Sequence, residues 1–326
     1  MEKFTLVIHG GAGTILKKNM TPDKELAYND KLKDALLAGY TILKEGGSSI
    51  RAVEASVRVM EDSPLFNAGK GSVFTNEGKN EMEASIMEGG SLAAGSVTMV
   101  TNVKNPISAA KAVMEKSSHV MMVAEGAVKF AKENDLDIVD PQYFYDAKRY
   151  QQWQDIKGST DIRMDHLDES EDMAKTQINA EFSEPADKKF GTVGAVAIDK
   201  DGNIAAGTST GGMTNKMYGR VGDSPIIGSG TYANNKTCGV SSTGHGEYFI
   251  RAVVAHDISA MMEYKGVSLQ EAADEVILRK LPALGGSGGI ISVDSEGDFA
   301  LTFNTEGMYR GSIREDGEPN VAIYKD

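Results

Sequence analysis

Apolar positions along the chain follow two rhythms that change over at glycines. Thr5–Ile8 is a short apolar run of the kind that forms a buried strand. It stops at His9-Gly10-Gly11-Ala12-Gly13, which reads as a tight strand-exit turn. Over Leu26–Leu43, Leu32, Leu36, Leu37, Tyr40 and Leu43 recur at helical spacing, and Gly46-Gly47 ends the pattern. Ser48–Met60 repeats it, with Ser48 or Ser49 as the N-cap. Glu81–Glu88 and Leu92–Val100 read as strands about the turn Gly89-Gly90, and Pro106–Glu115 and Glu125–Glu133 as helices.

Between Lys157 and Lys189 both rhythms vanish. Acidic residues crowd the segment from Asp161 to Asp187 and apolar ones are few, the composition of a flexible linker. So long an unpatterned insertion is uncommon inside a compact domain and is often functional. Pattern returns abruptly at Phe190. Thr192–Ile198 and Asn203–Thr208 read as strands around Asp201-Gly202, a hairpin signal. Glu247–Tyr264 and Leu269–Leu281 read as helices, and Gly289–Val293, Phe299–Phe303 and Val321–Tyr324 as strands. The chain is thus two α+β halves joined by an acidic tether.

Composition narrows the function. The 326 residues suffice for one large domain or two ordinary ones. With 34 basic and 47 acidic residues the net charge is −13, and no basic cluster is present, which argues against nucleic acid and anionic membranes as partners. No stretch approaches the ~18 apolar residues of a membrane span. The single cysteine, Cys238, excludes an internal disulfide and a thiolate zinc cluster. With no secretory leader pattern at Met1–Phe4, the expected compartment is the cytoplasm. His9, His119, His166 and His256 show no zinc-ligand spacing with one another. Gly11-Ala12-Gly13 fails the dinucleotide fingerprint because Leu16 takes the third glycine's place. Gly69-Lys70-Gly71-Ser72 fails the phosphate loop because Gly71 follows the lysine and Pro64 replaces the first glycine.

The candidate chemistry centres on Thr192. A threonine on a strand is ordinary by itself. Here Gly191-Thr192 falls where the tether ends, and hydroxylic and glycine residues recur downstream at strand ends, as in Gly207-Thr208-Ser209-Thr210-Gly211-Gly212 and Ser242-Thr243-Gly244-His245-Gly246-Glu247. A threonine hydroxyl needs a base to act as a nucleophile. If the Gly191–Thr192 bond is cut, the new α-amine, with a pKa of about 7.7–8, can be that base. Attack on an amide makes an oxyanion, which Thr243 and the N–H of Gly244 could receive. Gly219-Arg220-Val221-Gly222-Asp223-Ser224-Pro225 pairs a guanidinium fork with a carboxylate, a set that matches the head group of a free amino acid. In isolation Arg220 and Asp223 read equally well as a surface ion pair. His245 reads as a packing partner, not a base.

Together with Ile8-His9-Gly10-Gly11-Ala12-Gly13, Phe66-Asn67-Ala68-Gly69, Gly191-Thr192-Val193-Gly194-Ala195-Val196 and Leu284-Gly285-Gly286, these blocks resemble the plant-type L-asparaginase/isoaspartyl peptidase family of N-terminal nucleophile hydrolases, in order and over nearly the whole chain. The resemblance implies a four-layer αββα sandwich. It implies an α-subunit of residues 1–191, ending in the linker 157–189, and a β-subunit of residues 192–326. Two such αβ pairs would associate. The substrates implied are β-aspartyl (isoaspartyl) dipeptides and L-asparagine. By the same resemblance Thr192 is nucleophile and base, with Thr210 hydrogen-bonded near it. Thr243 and Gly244 form the oxyanion hole. Arg220 holds the substrate carboxylate, Asp223 its ammonium with Gly246 alongside, and Asn67 lies near the nucleophile. No catalytic cofactor is implied. A structural sodium ion is, on the main-chain oxygens of Met60, Glu61, Ser63, Phe66, Ala68 and Lys70. His9-Gly10-Gly11 corresponds to a mobile glycine loop. The rival readings are a glycosylasparaginase-like hydrolase, a threonine endopeptidase and an inactive scaffold of the same fold. One cysteine disfavours the first, the Arg220–Asp223 grip the second, and the coincidence of all five polar residues the third.

Overall fold

The computed structural model describes residues 3–158 and 191–325. The acidic tether expected over 157–189 lies, from residue 159 onward, outside the described residues. The strands are β1 (Thr5–Gly13), β2 (Met82–Glu88), β3 (Ala94–Val100), β4 (Met121–Val123), β5 (Val193–Ile198), β6 (Ile204–Thr210), β7 (Thr231–Ala233), β8 (Cys238–Gly244), β9 (Gly288–Asp294), β10 (Phe299–Ala300), β11 (Gly307–Arg314) and β12 (Asn320–Tyr324). They form an eight-stranded sheet in the order β12-β11-β1-β5-β6-β2-β3-β4 and a four-stranded sheet in the order β10-β9-β8-β7. The main helices are α1 (Pro22–Lys44), α2 (Ser49–Glu61), α3 (Pro106–Lys116), α4 (Ala124–Glu133), α5 (Ala147–Gln154), α6 (Gly246–Ala252), α7 (Val254–Lys265) and α8 (Leu269–Asp274). Helices α1 to α3 cover the outer face of the large sheet, and α7 and α8 that of the small one. This is the αββα sandwich.

Strand β5 shows how one sequence serves two interfaces. Side chains alternate between faces along a strand. Val193, Ala195 and Ala197 join the core beneath the first helical layer. Val196 and Ile198 join a separate core between the sheets, with Val7, Ile204, Ala206, Ile291 and Val293. A strand buried on both faces carries almost no polar side chain, and β5 has none.

Several boundaries differ from the sequence pattern for local physical reasons. The strand read as Thr5–Ile8 continues to Gly13, so His9-Gly10-Gly11 is not an exit turn. It is a β-bulge, where pairing with β11 shifts register between His9 and Gly11. Ser48 stands at the N-cap of α2 but its hydroxyl makes no cap bond. The Asp199 carboxylate does that work by accepting from the N–H of Ser49 at 2.9 Å, while also accepting from Asp201 and Asn203 in the β5–β6 hairpin turn. One buried carboxylate thus ties the hairpin to a helix N-terminus. Strand β11 escaped the pattern because its mixed run, Met308-Tyr309-Arg310-Gly311-Ser312, does not alternate cleanly.

The helix expected over Glu247–Tyr264 breaks at Val253, which sits at φ 51°, ψ 46°. The N–H groups of Ala255 and His256 turn instead to the carbonyls of Ser229 and Gly228, at 3.3 and 2.8 Å. A left-handed β-branched residue costs roughly 1–2 kcal/mol. Val253 is 44% exposed, so its side chain gives little back. Val253→Gly should therefore raise stability by about 1 kcal/mol. Urea unfolding would measure it, and a lower midpoint would contradict the strain.

Candidate active site

The face of the large sheet that meets the small one changes character toward one end. Beyond Val196 come Gly194 and then Thr192, and beyond Ala206 come Thr208 and Thr210. Thr192 is 7% exposed and donates from Oγ to Oγ of Thr210 at 3.2 Å. The Thr210 hydroxyl in turn lies 3.2 Å from the carbonyl oxygen of Gly191 and accepts from the N–H of Gly212 at 3.0 Å. A hydroxyl has one proton to give. Thr210 therefore gives it to the Gly191 carbonyl while accepting the proton of Thr192, and so bridges the hydroxyl to the bond preceding it.

A cleft opens on this pair, and Gly191, Thr192, Thr210, Arg220, Asp223 and Gly244 all line it. Thr243 is fully buried beside it, and its Oγ accepts from the N–H of Ala12 at 3.3 Å. No described acceptor takes its proton, which stays free for an incoming oxygen. Asn67 is brought close but not into the cleft. Its amide donates to the Gly212 carbonyl at 2.7 Å and accepts from the N–H of Val73 at 3.0 Å, bracing the turn that follows Thr210.

Arg220 and Asp223 are not a surface pair. The Arg220 guanidinium makes a two-pronged bond to Glu247, Nε and Nη2 each at 2.9 Å. His245 contacts the same carboxylate, Nε2 to Oε2 at 3.2 Å. Burial acts to raise the Glu247 pKa, but hydrogen bonds from His245 and Arg220, with the Arg220 charge, outweigh it and hold it well below the usual range. Asp223 is buried, and its Oδ2 has no hydrogen-bond partner among the described residues. Burial pushes its pKa up to about 7, with the Arg220 charge opposing. A side chain at Gly246 would put its Cβ 2.8 Å from Asp223 Oδ1 and 2.9 Å from Arg220 Nη2, so the pair packs directly on that glycine.

Three residues here were missed by sequence reading. In the sequence pattern Glu247 closes the Ser242–Glu247 block and starts a helix, with no sign of its bond to Arg220. Glu83, on β2 opposite Thr210, is fully buried and accepts from the N–H of Gly222 at 3.2 Å. Lys216 meets it at 3.4 Å and donates to the Glu81 carbonyl at 2.9 Å. Together they clamp the 211–224 segment that carries Arg220 and Asp223. An acidic residue at the head of the otherwise apolar and hydroxylic run Met82–Met87 was the available signal for Glu83; nothing local marked Lys216.

The arrangement can bring a polarised threonine hydroxyl, a cation and a buried anion to one small cleft. Comparison with known proteins bears on the family. The protein family described as Asparaginase matches residues 2–323. An isoaspartyl peptidase of Salmonella typhimurium is 47% identical over 330 residues, covering all of both chains. An isoaspartyl peptidase of Escherichia coli is also 47% identical, covering 100% of this chain and 98% of that protein. A plant-type L-asparaginase of Pyrococcus furiosus is 42% identical over 98% of this chain and 99% of its own. Family match, near-complete coverage and the geometry around Thr192 agree that this chain belongs to the Asparaginase family of N-terminal nucleophile hydrolases.

Proposed function

We propose that this protein hydrolyses β-aspartyl dipeptides and the side-chain amide of L-asparagine through an acyl-enzyme on Thr192, after cleaving its own chain before that residue. The observation that carries the reading is the bridge made by Thr210 between the Thr192 hydroxyl and the Gly191 carbonyl. Maturation follows from it. Thr192 Oγ attacks the Gly191 carbonyl carbon and its proton passes to Thr210. Thr210 gives its own proton to the developing oxyanion. The C–N bond breaks as that hydroxyl's proton passes to the nitrogen, leaving Gly191 as an ester on Oγ and a free α-amine on Thr192. Water then hydrolyses the ester and separates residues 1–191 from residues 192–326.

In turnover the amine takes the Oγ proton as Oγ attacks the substrate's side-chain amide carbon. Thr243 and the Gly244 N–H receive the oxyanion. The leaving amine departs with the proton, and water releases aspartate. Arg220 binds the α-carboxylate, and the unpartnered Asp223 Oδ2 binds the α-ammonium beside Gly246. That grip favours a free amino-acid head group over an internal peptide segment, which supports a dipeptidase over an endopeptidase. The set of groups is intact, which disfavours an inactive scaffold. Nothing in the cleft requires a catalytic cofactor.

A structural sodium ion fits the loop after α2. Cβ atoms at Gly69 and Gly71 would lie 2.3 Å from the Glu61 carbonyl oxygen and 2.1 Å from that of Phe66. Carbonyls thus face the inside of the turn against bare α-carbons. Neutral oxygens suit a hard monovalent ion. Met60, Glu61, Ser63, Phe66, Ala68 and Lys70 would hold it by their main-chain oxygens, with no part in the chemistry. The reading also includes pairing of two αβ units; the apolar edge at β4, where Val120 and Val123 are 53% and 47% exposed, is surface available to such a contact. No helix among the described residues is long and apolar enough to cross a membrane, and the buried, unpaired Cys238 suits a cytoplasmic enzyme.

Purified protein should release aspartate from β-aspartyl-leucine, and Arg220→Ala should lower kcat/KM by roughly 100-fold or more, mostly through KM, because a charge-assisted two-pronged contact is lost. Unchanged kcat/KM would remove Arg220 from the grip. Activity should also rise with pH through about 7, as Asp223 ionises and can hold the ammonium. For the ion, the melting temperature should increase with NaCl relative to choline chloride at equal ionic strength. Equal melting in both salts would remove the sodium site.

A further inference from the structure

A row of polar groups crosses the otherwise apolar layer between the sheets, one step inward from Thr192. His9, Gly194, Thr208 and Ser85 stand opposite one another on β1, β5, β6 and β2. Ser241 and Thr231 stand opposite one another on β8 and β7 of the facing sheet. All five side chains are 0% exposed. His9 Nδ1 lies 3.1 Å from the carbonyl oxygen of Thr192, and His9 Nε2 lies 2.9 Å from Oγ of Ser241. Ser241 is 2.7 Å from Thr208, Thr208 is 2.6 Å from Thr231, and Thr231 is 2.8 Å from Ser85.

Proton counting fixes the His9 end of the row. The Thr192 carbonyl can only accept, so Nδ1 carries a proton. Burial pushes the His9 pKa down to about 3, against the opposing bond to Thr192, so the ring is neutral and has no second proton. Nε2 must therefore accept, and Ser241 spends its single proton there. Thr208 accepts from Thr231 and has one proton for two acceptors, Ser241 Oγ at 2.7 Å and the Gly230 carbonyl at 3.0 Å. Gly194 makes this meeting possible, because a Cβ there would lie 2.0 Å from Ser241 Oγ and 2.4 Å from His9 Nε2.

We propose that His9 is a positioning residue for the nucleophile. Its Nδ1–H, locked in one tautomer by the Ser241 row, holds the Thr192 carbonyl and thereby aims the Thr192 α-amine. The inference rests on the reading of Thr192 as nucleophile and base. Its geometric core is simple. Thr210 fixes the Oγ of Thr192 and His9 fixes the carbonyl. Two of the substituents on the tetrahedral α-carbon are then fixed, and the nitrogen has one place left. The carbonyl lies on the far side of Thr192 from the Gly191 bond, so the same contact serves before and after cleavage. The base is oriented without being touched, which leaves its lone pair for the proton it must carry.

The test separates the two ring nitrogens. An asparagine at position 9 ends at the place of Nδ1 and can donate to the Thr192 carbonyl; a glutamine reaches the place of Nε2 and can meet only Ser241. His9→Asn should keep kcat within about 5-fold of wild type, while His9→Gln should lose roughly 10- to 100-fold, because a misaimed catalytic group costs on that order. KM should stay within about 3-fold in both, since Arg220 and Asp223 are untouched. A role confined to filling the core would make the two equal or favour glutamine, and that result would overturn the proposal. In wild-type enzyme, nitrogen NMR of ¹⁵N-labelled histidine should show the His9 ring protonated at Nδ1 alone and unchanged from pH 5 to 8; an Nε2–H tautomer would also overturn it. Wild-type protein that neither cleaves itself nor releases aspartate would instead sink the reading of Thr192 on which the inference stands.

Discussion

Thr192 is held where it is because it immediately precedes a strand with no free face. Helices press on one side of β5 and the second sheet presses on the other. Any polar atom in such a layer must find a partner or cost about 1–3 kcal/mol. From Ile198 through Val196 the layer between the sheets is sealed with apolar side chains. At Gly194 the seal gives way to a row of hydroxyls and one imidazole that bond one another and the carbonyls of Thr192, Gly230 and Ser224. At Thr192 it opens into the cleft. Thr192 thus stands at the edge of a packed layer, open to the cleft and deep enough to be fixed.

The charges of the cleft obey the same requirement. Arg220 gives one edge of its guanidinium to Glu247, which orients it and leaves N–H groups on the other edge. Lys216 balances Glu83, and Glu83 holds Gly222 two residues beyond Arg220. Removing one member of such a buried pair typically costs about 3–5 kcal/mol, far more than a surface ion pair contributes. The exception is Asp223, whose Oδ2 has no described partner. The proposed function assigns that open acceptor to the ammonium of the substrate.

Much of this was legible in the sequence where a residue's role is local. Helical spacing marked α1 and α2, and Asp201-Gly202 marked the hairpin that follows Thr192. The placement of glycines and hydroxyls at strand ends marked Thr210, Thr243 and Gly244. What stayed hidden depends on contacts between distant segments. The bulge at His9 exists because β11, nearly three hundred residues later, pairs across it. The break at Val253 is held by carbonyls of Gly228 and Ser229. Lys216 looks like any loop lysine until Glu83 is seen beneath it. His9 could be noticed as part of a motif, but its tautomer follows only from the carbonyl on one side and Ser241 on the other.

The central claim is that Thr192 carries a free α-amine in the working enzyme. Intact-mass measurement of purified protein after prolonged incubation, with N-terminal sequencing of the fragments, tests it most directly. Two chains, the second beginning Thr192-Val193-Gly194, are the predicted result. A single uncleaved chain that nevertheless hydrolyses β-aspartyl dipeptides at full rate would contradict it.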